Sequence, residues 1–183
     1  MKKQSDGYYH GRITLGLTPV CAVLGLLLGQ MFDQERMPWT GLAAALGCLL
    51  GLLIDPDLDQ EMITRSRWRI IKVPVVGILL GSLWVGLWLP YALMMPHRKL
   101  SHVPILGTMT RLAYLAIFVV VLGVLSYFGV IPWIPWHYLS QVDPVLLIYG
   151  IGGLCISDIG HWYRDFHSGE HVHVHVHKKI PGL

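Results

Sequence analysis

At 183 residues, 54% apolar and 14% charged, with a formal charge of +3 and a mean hydropathy of +0.53, the chain is too oily for an ordinary water-soluble domain. Its apolar runs approach the ~20 residues that cross a bilayer, and in lipid they must close their own backbone hydrogen bonds. The fold class is therefore all-α, and nothing suits nucleic acid: there is no basic-aromatic array, no Gly-rich phosphate loop and no nucleophile elbow.

The first run, Ile13 to Phe32, follows Met1-Lys2-Lys3 in the manner of a signal peptide. No small-x-small cleavage site follows Leu28 or Gln30, so the run reads as a retained span. Further spans are expected over Trp39 to Ile54, Leu112 to Ile131 and Val145 to Ser157. Gly25 and Gly29 on the first, with Ala43, Gly47 and Gly51 on the second, form a small-xxx-small surface on which these two helices pack closely. Cys21, Cys48 and Cys155 fall inside the runs without C-x-x-C spacing and read as buried apolar thiols. Trp133, Trp136 and Tyr138 sit where an interfacial aromatic belt is expected, on the face opposite the ligands described below.

The apolar stretch Ile70 to Met95 decides the topology. As a fifth span it divides the fourteen Lys and Arg residues seven against seven. As a re-entrant or interfacial segment it leaves four spans and strands Arg36 alone, thirteen against one. The positive-inside rule favours the second arrangement, with both termini cytoplasmic. Pro74, Gly77, Gly81, Gly86 and Pro90 would let the stretch bend. The expected architecture is an integral membrane bundle of four spans plus a re-entrant or interfacial helical segment at about 70–96. Residues 1–165 form a membrane-embedded metal-binding domain, and 166–183 a His-rich tail.

With four spans, His10, Asp55, Asp57, Asp59, His97, His102, Asp158 and His161 all emerge on one face. Asp55, Asp57 and Asp59 alternate in an extended loop after the second span, which sends two or three carboxylate oxygens to one side and suits a hard or borderline cation. Acids at a helix C-terminus also oppose its dipole and call for compensation. His97 and His102, five apart, converge best on a loop or helix start, with Ser101 as N-cap of the helix leading into Leu112. Asp158 and His161 share a helical face at i, i+3, as a ligand pair or as an ordinary Asp-His hydrogen bond. The alternating His171, His173, His175 and His177 of the tail read equally as a metal collector or as a polar end without a role.

Several blocks carry a resemblance: His10 with Arg12-Ile13-Thr14, Pro56-Asp57-Leu58-Asp59, Arg67-Trp68, Leu87-Trp88-x-Pro90-Tyr91, Pro96-His97-Arg98-x-Leu100-Ser101-His102, Pro104-Ile105-Leu106-Gly107-Thr108 and Arg111-Leu112. From His10 to His161 the chain resembles a family of uncharacterised bacterial metal-binding membrane proteins. That family is similar to inner-membrane metal-dependent hydrolases with Pro-Asp-x-Asp-His and His-Arg-Gly-x-Thr-His patterns. Lys99 replaces the glycine of those patterns, and Gln60 replaces the histidine, which removes one possible ligand. The resemblance implies metal binding more securely than hydrolysis.

The leading expectation is a metal-dependent hydrolase at the cytoplasmic membrane face, acting on a phosphate ester or a lipid-like substrate. His10, Asp57, Asp59, His97, His102, Asp158 and His161 are the metal-ligand candidates, too many for one ion unless some orient the others. Arg98, Lys99 and Ser101 are the catalytic candidates, and Arg98 and Lys99 are the ones expected to hold an anionic lipid or phosphate-ester substrate. Mixed nitrogen and oxygen donors suit a divalent transition metal, zinc first, then manganese or iron. The alternatives are metal storage or delivery, and a membrane-assembly scaffold with a structural metal. Transport proper fits poorly, because Thr18, Gln30 and Ser126 are the only polar groups in the interiors of two of the spans.

Overall fold

The computed structural model describes residues 6–59, 65–95, 103–132 and 136–167, and all regular structure among them is helical. Six α-helices follow in order: α1 Asp6–Phe32, α2 Met37–Leu50, α3 Arg65–Ile71, α4 Gly77–Met94, α5 Leu106–Tyr127 and α6 Pro144–His167. Short 3₁₀ turns at Gln34–Arg36, Pro56–Asp59 and Trp136–Gln141 connect them. Among the described residues four stretches are long and apolar enough to cross a membrane: Gly11–Phe32, Gly77–Met94, Leu106–Tyr127 and Pro144–Arg164.

The membership of that set differs from the sequence expectation. The Trp39 to Ile54 run forms the 14-residue α2, about 21 Å of helix, followed by a turn over Gly51 to Ile54. The Ile70 to Met95 stretch breaks only at 72–76 and then runs unbroken through Gly81, Gly86 and Pro90 as α4. Helix α5 begins at Leu106 with Ile105 at its N-cap position, so Ser101 does not cap it.

Helices α4 and α5 start in the same way. In Val73-Pro74-Val75-Val76-Gly77 the Val76 N–H reaches the Pro74 carbonyl at 2.8 Å, and in Val103-Pro104-Ile105-Leu106-Gly107 the Leu106 N–H reaches the Pro104 carbonyl at 2.8 Å. These tight turns force Val75 and Ile105 to φ of 68° and 67°, a strained conformation for β-branched residues.

Helices α1, α2 and α6 form the packed unit. Contacts between Gly25 and Gly41, Gly29 and Met37, and Cys48 and Thr14 run α2 antiparallel to α1. Contacts of Gly47 with Gly150 and of Gly51 with Ser157 run α6 parallel to α2. The small-residue surface is thus split between two neighbours: Gly25 and Gly29 face α2 as expected, whereas Gly47 and Gly51 face α6. Backbones approach so closely that a Cβ on Gly47 would lie 1.8 Å from the Gly150 carbonyl oxygen. Cys21 and Cys48 are fully buried between the helices as free thiols, and Cys155 is half-buried. Thr40 lends its hydroxyl to the Gly25 carbonyl at 2.8 Å. The large side chains, among them Leu15, Val23, Leu27 and Met31 of α1 and Ile117, Val120 and Val124 of α5, point outward. Small and hydroxyl groups inside with large apolar groups outside is the pattern of helices packed in lipid.

Two further contacts fix the ends. Away from the candidate site, Arg36 donates to Asp33 at 2.7 Å and to Asp143 at 2.8 Å, clamping the α1–α2 turn to the start of α6. The single cation stranded on this end by the charge count is therefore neutralised twice. At the other end, Leu58, Trp88 and Tyr91 form a buried cluster with Trp84 and Tyr114 that seats α4 and the start of α5 beside the Pro56–Asp59 turn.

Candidate functional site

The end of the bundle where α1 starts and α2 finishes gathers the polar groups. The Thr14 and Ser157 hydroxyls meet at 3.1 Å, and beside them opens a cleft lined by Gly11, Thr14, Gly51, Asp55, Arg69 and His161. Its free volume of about 10 Å³ matches a single water or ion. Asp55 and His161 are 6% and 7% exposed, so both enter the cleft from buried positions. Arg69 reaches from α3 to donate to the Leu52 carbonyl, answering one of the acceptors left open where α2 ends. Glycine at 11 makes room for this arm, since a Cβ there would lie 2.9 Å from Arg69 Nη2.

One turn before His161 on α6, Asp158 anchors a second buried group. Its Oδ2 accepts from the Thr108 hydroxyl and from Arg111 Nη2, both on α5. Arg111 is fully enclosed, and its Nε and Nη1 have no hydrogen-bond partner among the described residues. A charge among apolar helices needs a partner, and the carboxylate supplies it. Tyr91 and Thr110 share a hydrogen bond of 2.9 Å, and Tyr114 donates to the Leu87 carbonyl, so α4 is tied to this end of α5.

Of the sequence-predicted ligands, His161 lines the cleft with Asp55, whereas Asp158, at the same end, turns its carboxylate to α5. His10 belongs to the first turn and a half of α1 next to Gly11, and Asp57 and Asp59 belong to the 3₁₀ turn after Asp55. The backbone thus brings these segments to one end, while the side chains of His10, Asp57 and Asp59 lie outside the described residues, as do His97, Arg98, Lys99, Ser101, His102 and the tail. Met95, just before the 96–102 segment, packs on the Leu58 cluster, and Thr108, just after it, bonds Asp158. Among the described residues no three His, Cys, Asp or Glu side chains gather as a metal-holding group.

Thr14, Arg69, Thr108 and Arg111 were not among the sequence candidates. Arg111 and Asp158 carried a usable signal: each is a charge at the very edge of an apolar run, and two such charges of opposite sign are expected to pair. Thr14 and Arg69 carried none, because their roles depend on how α1 and α3 meet the end of α2.

Among the described residues the architecture is all-helical, with four helices long and apolar enough to cross a membrane and a buried polar cleft at one bundle end, which places the chain in the class of helical proteins suited to a membrane. The chain belongs to the family described as "Uncharacterized metal-binding protein (DUF2227)", whose model matches residues 5–175. The expected family of uncharacterised metal-binding proteins is found, whereas nothing found supports the similarity to hydrolases. It is also similar to an uncharacterized protein of Aquifex aeolicus (strain VF5), 36% identical over 72 residues, which cover 38% of this chain and 42% of that protein. No solved structure matches the chain.

Proposed function

We propose that the protein is a membrane metalloprotein whose ion lies at the cleft end of the bundle, on the cytoplasmic leaflet with both termini cytoplasmic, and that the site hydrolyses a phosphate ester or lipid-like substrate. The observation that carries this reading is the cleft in which buried Asp55 and His161 meet from different segments. The fit is chemical: one carboxylate and one imidazole border a space of ion size, beside glycines at 11 and 51. Such donors suit zinc first, with manganese or iron as alternatives.

In this reading His161 is a ligand, and His10, Asp57, Asp59, His97 and His102 supply the remaining donors from segments whose backbone begins or ends at the same place. Asp158, committed through Oδ2 to Thr108 and Arg111, holds the α6 turn that presents His161. Arg98, Lys99 and Ser101 hold the anionic substrate, and Arg69 keeps the α2 end closed against the cleft. A bound divalent ion would supply an activated water and polarise a phosphoryl oxygen.

The test is the metal-to-protein ratio after purification. His161→Ala, and His97→Ala combined with His102→Ala, should each lose most of the bound metal. A ratio equal to the parent's in both would remove the site. Metal-loaded protein that binds the ion but never releases phosphate from a chromogenic phosphate ester would leave metal binding standing and end the hydrolytic reading.

A further inference from the structure

Both ends of α4 are tied to the same end of the bundle. Its start packs on α3, where Gly77 and Gly81 lie against Ile71, and α3 in turn sends Arg69 to Leu52 at the end of the α2 turn. Its last two turns pack on Leu58 and bond Thr110 and Tyr114 at the start of α5. Leu52 and Leu58 are six residues apart in sequence, whereas α4 is about 27 Å long. A helix crossing the bilayer would carry α3 to the far surface and Arg69 away from Leu52.

The helix is also one-sided. Gly77, Gly81, Trp88 and Ala92 are buried on one face, while Ile78, Leu79, Leu83 and Leu93 stand exposed on the other. Immediately before it come Arg65, Arg67, Arg69 and Lys72, and from Met62 to Val142 the sequence contains seven Lys or Arg and no Asp or Glu. A basic cluster joined to an exposed apolar helical face is the composition that attracts an anionic leaflet.

We infer that α3 and α4 form an arm lying in the plane of the leaflet that holds anionic phospholipids, their phosphates on the basic α3 segment and their acyl chains along the exposed face of α4. The inference stands apart from metal binding and from hydrolysis. It goes further than either in giving the helix that meets every membrane criterion of length and apolarity an in-plane position.

The experiment uses the full-length protein in vesicles of phosphatidylcholine alone or with phosphatidylglycerol. Native mass spectrometry should show phosphatidylglycerol retained in preference to phosphatidylcholine, with retention about fivefold weaker for each charge removed in Arg65→Gln and Lys72→Gln. Equal retention by parent and double variant overturns the lipid site. Cysteines introduced one at a time by Lys72→Cys and Met95→Cys, on a Cys155→Ala background that keeps the fully buried Cys21 and Cys48, should react with an impermeant maleimide from the same side of the membrane. Reaction from opposite sides makes α4 a span and overturns the in-plane arm, whatever the metal content of the protein.

Discussion

Removing the Arg111 guanidinium should unfasten α5 from α6. The Arg111 and Asp158 side chains are 0% and 5% exposed, and without the cation Asp158 loses its ion pair while the Thr108 hydroxyl bond remains. Breaking one side of a pair buried this deeply costs about 3–5 kcal/mol, because a carboxylate is left without its counter-charge in a medium that cannot solvate it. At about 2–4 °C per kcal/mol for a chain of this size, the melting temperature of Arg111→Ala should fall by roughly 6–20 °C. The converse substitution, Asp158→Leu, should be comparably harmful. Because Arg111 Nε and Nη1 have no hydrogen-bond partner among the described residues, an apolar replacement of both residues discards a pair that those residues leave incompletely satisfied. Arg111→Met with Asp158→Leu should therefore recover more than half of either single loss. Thermal melting of the parent, Arg111→Met, Asp158→Leu and their combination in one detergent, followed by far-ultraviolet circular dichroism, closes the double-mutant cycle. An Arg111→Ala protein melting within about 3 °C of the parent, or a double variant as weak as the two singles added, refutes the argument.

Two other perturbations follow from the geometry. Gly153→Ala would place a Cβ 2.0 Å from the Ala44 carbonyl oxygen, so α2 and α6 must separate at a cost of about 1–3 kcal/mol, whereas Gly152→Ala, with nothing within 4 Å, should be neutral or up to ~1 kcal/mol stabilising; equal melting temperatures would contradict the packing. At the clamp, the Val145 N–H first, and Arg36 after it, hold the Asp143 carboxyl below its ordinary value of 3.8. The folded state then gains from Asp143 at any pH above that value and loses the gain as pH falls through the lowered one, so between pH 5 and pH 2, by order of magnitude, Asp143→Asn should show a flatter loss of melting temperature than the parent; parallel curves would deny the clamp a role in acid sensitivity.

Long apolar runs made α1, α5 and α6 legible before any coordinates, because in lipid the backbone leaves no alternative to helix. The polar end was legible for a related reason: Asp55, Asp158 and His161 sit where apolar runs stop. Less was visible in the middle of the chain. Gly81, Gly86 and Pro90 look like bend points, yet α4 passes through all three, since burial of Gly81 against Ile71 turns a missing side chain into a contact. The Pro-γ-turn starts of α4 and α5 needed hydrogen-bond geometry to be seen, although the Val-Pro-x-x-Gly repeat announces them in retrospect. The second partner of Gly47 and Gly51 was hidden for another reason: periodicity gives the face of a helix but not which neighbour covers it.

The cleft draws on Gly11 and Thr14 near the start of the chain, Gly51 and Asp55 after the second helix, Arg69 on the third and His161 on the last. During synthesis the α1–α2 hairpin is complete long before α6 leaves the ribosome, and until then Gly47, Gly51 and the Thr14 hydroxyl have only lipid or solvent opposite them. A chain cut short before residue 161 would hold α1, α4 and α5 complete, and its cleft would lack the His161 imidazole, so the last helix to be made is the one that completes this end of the bundle.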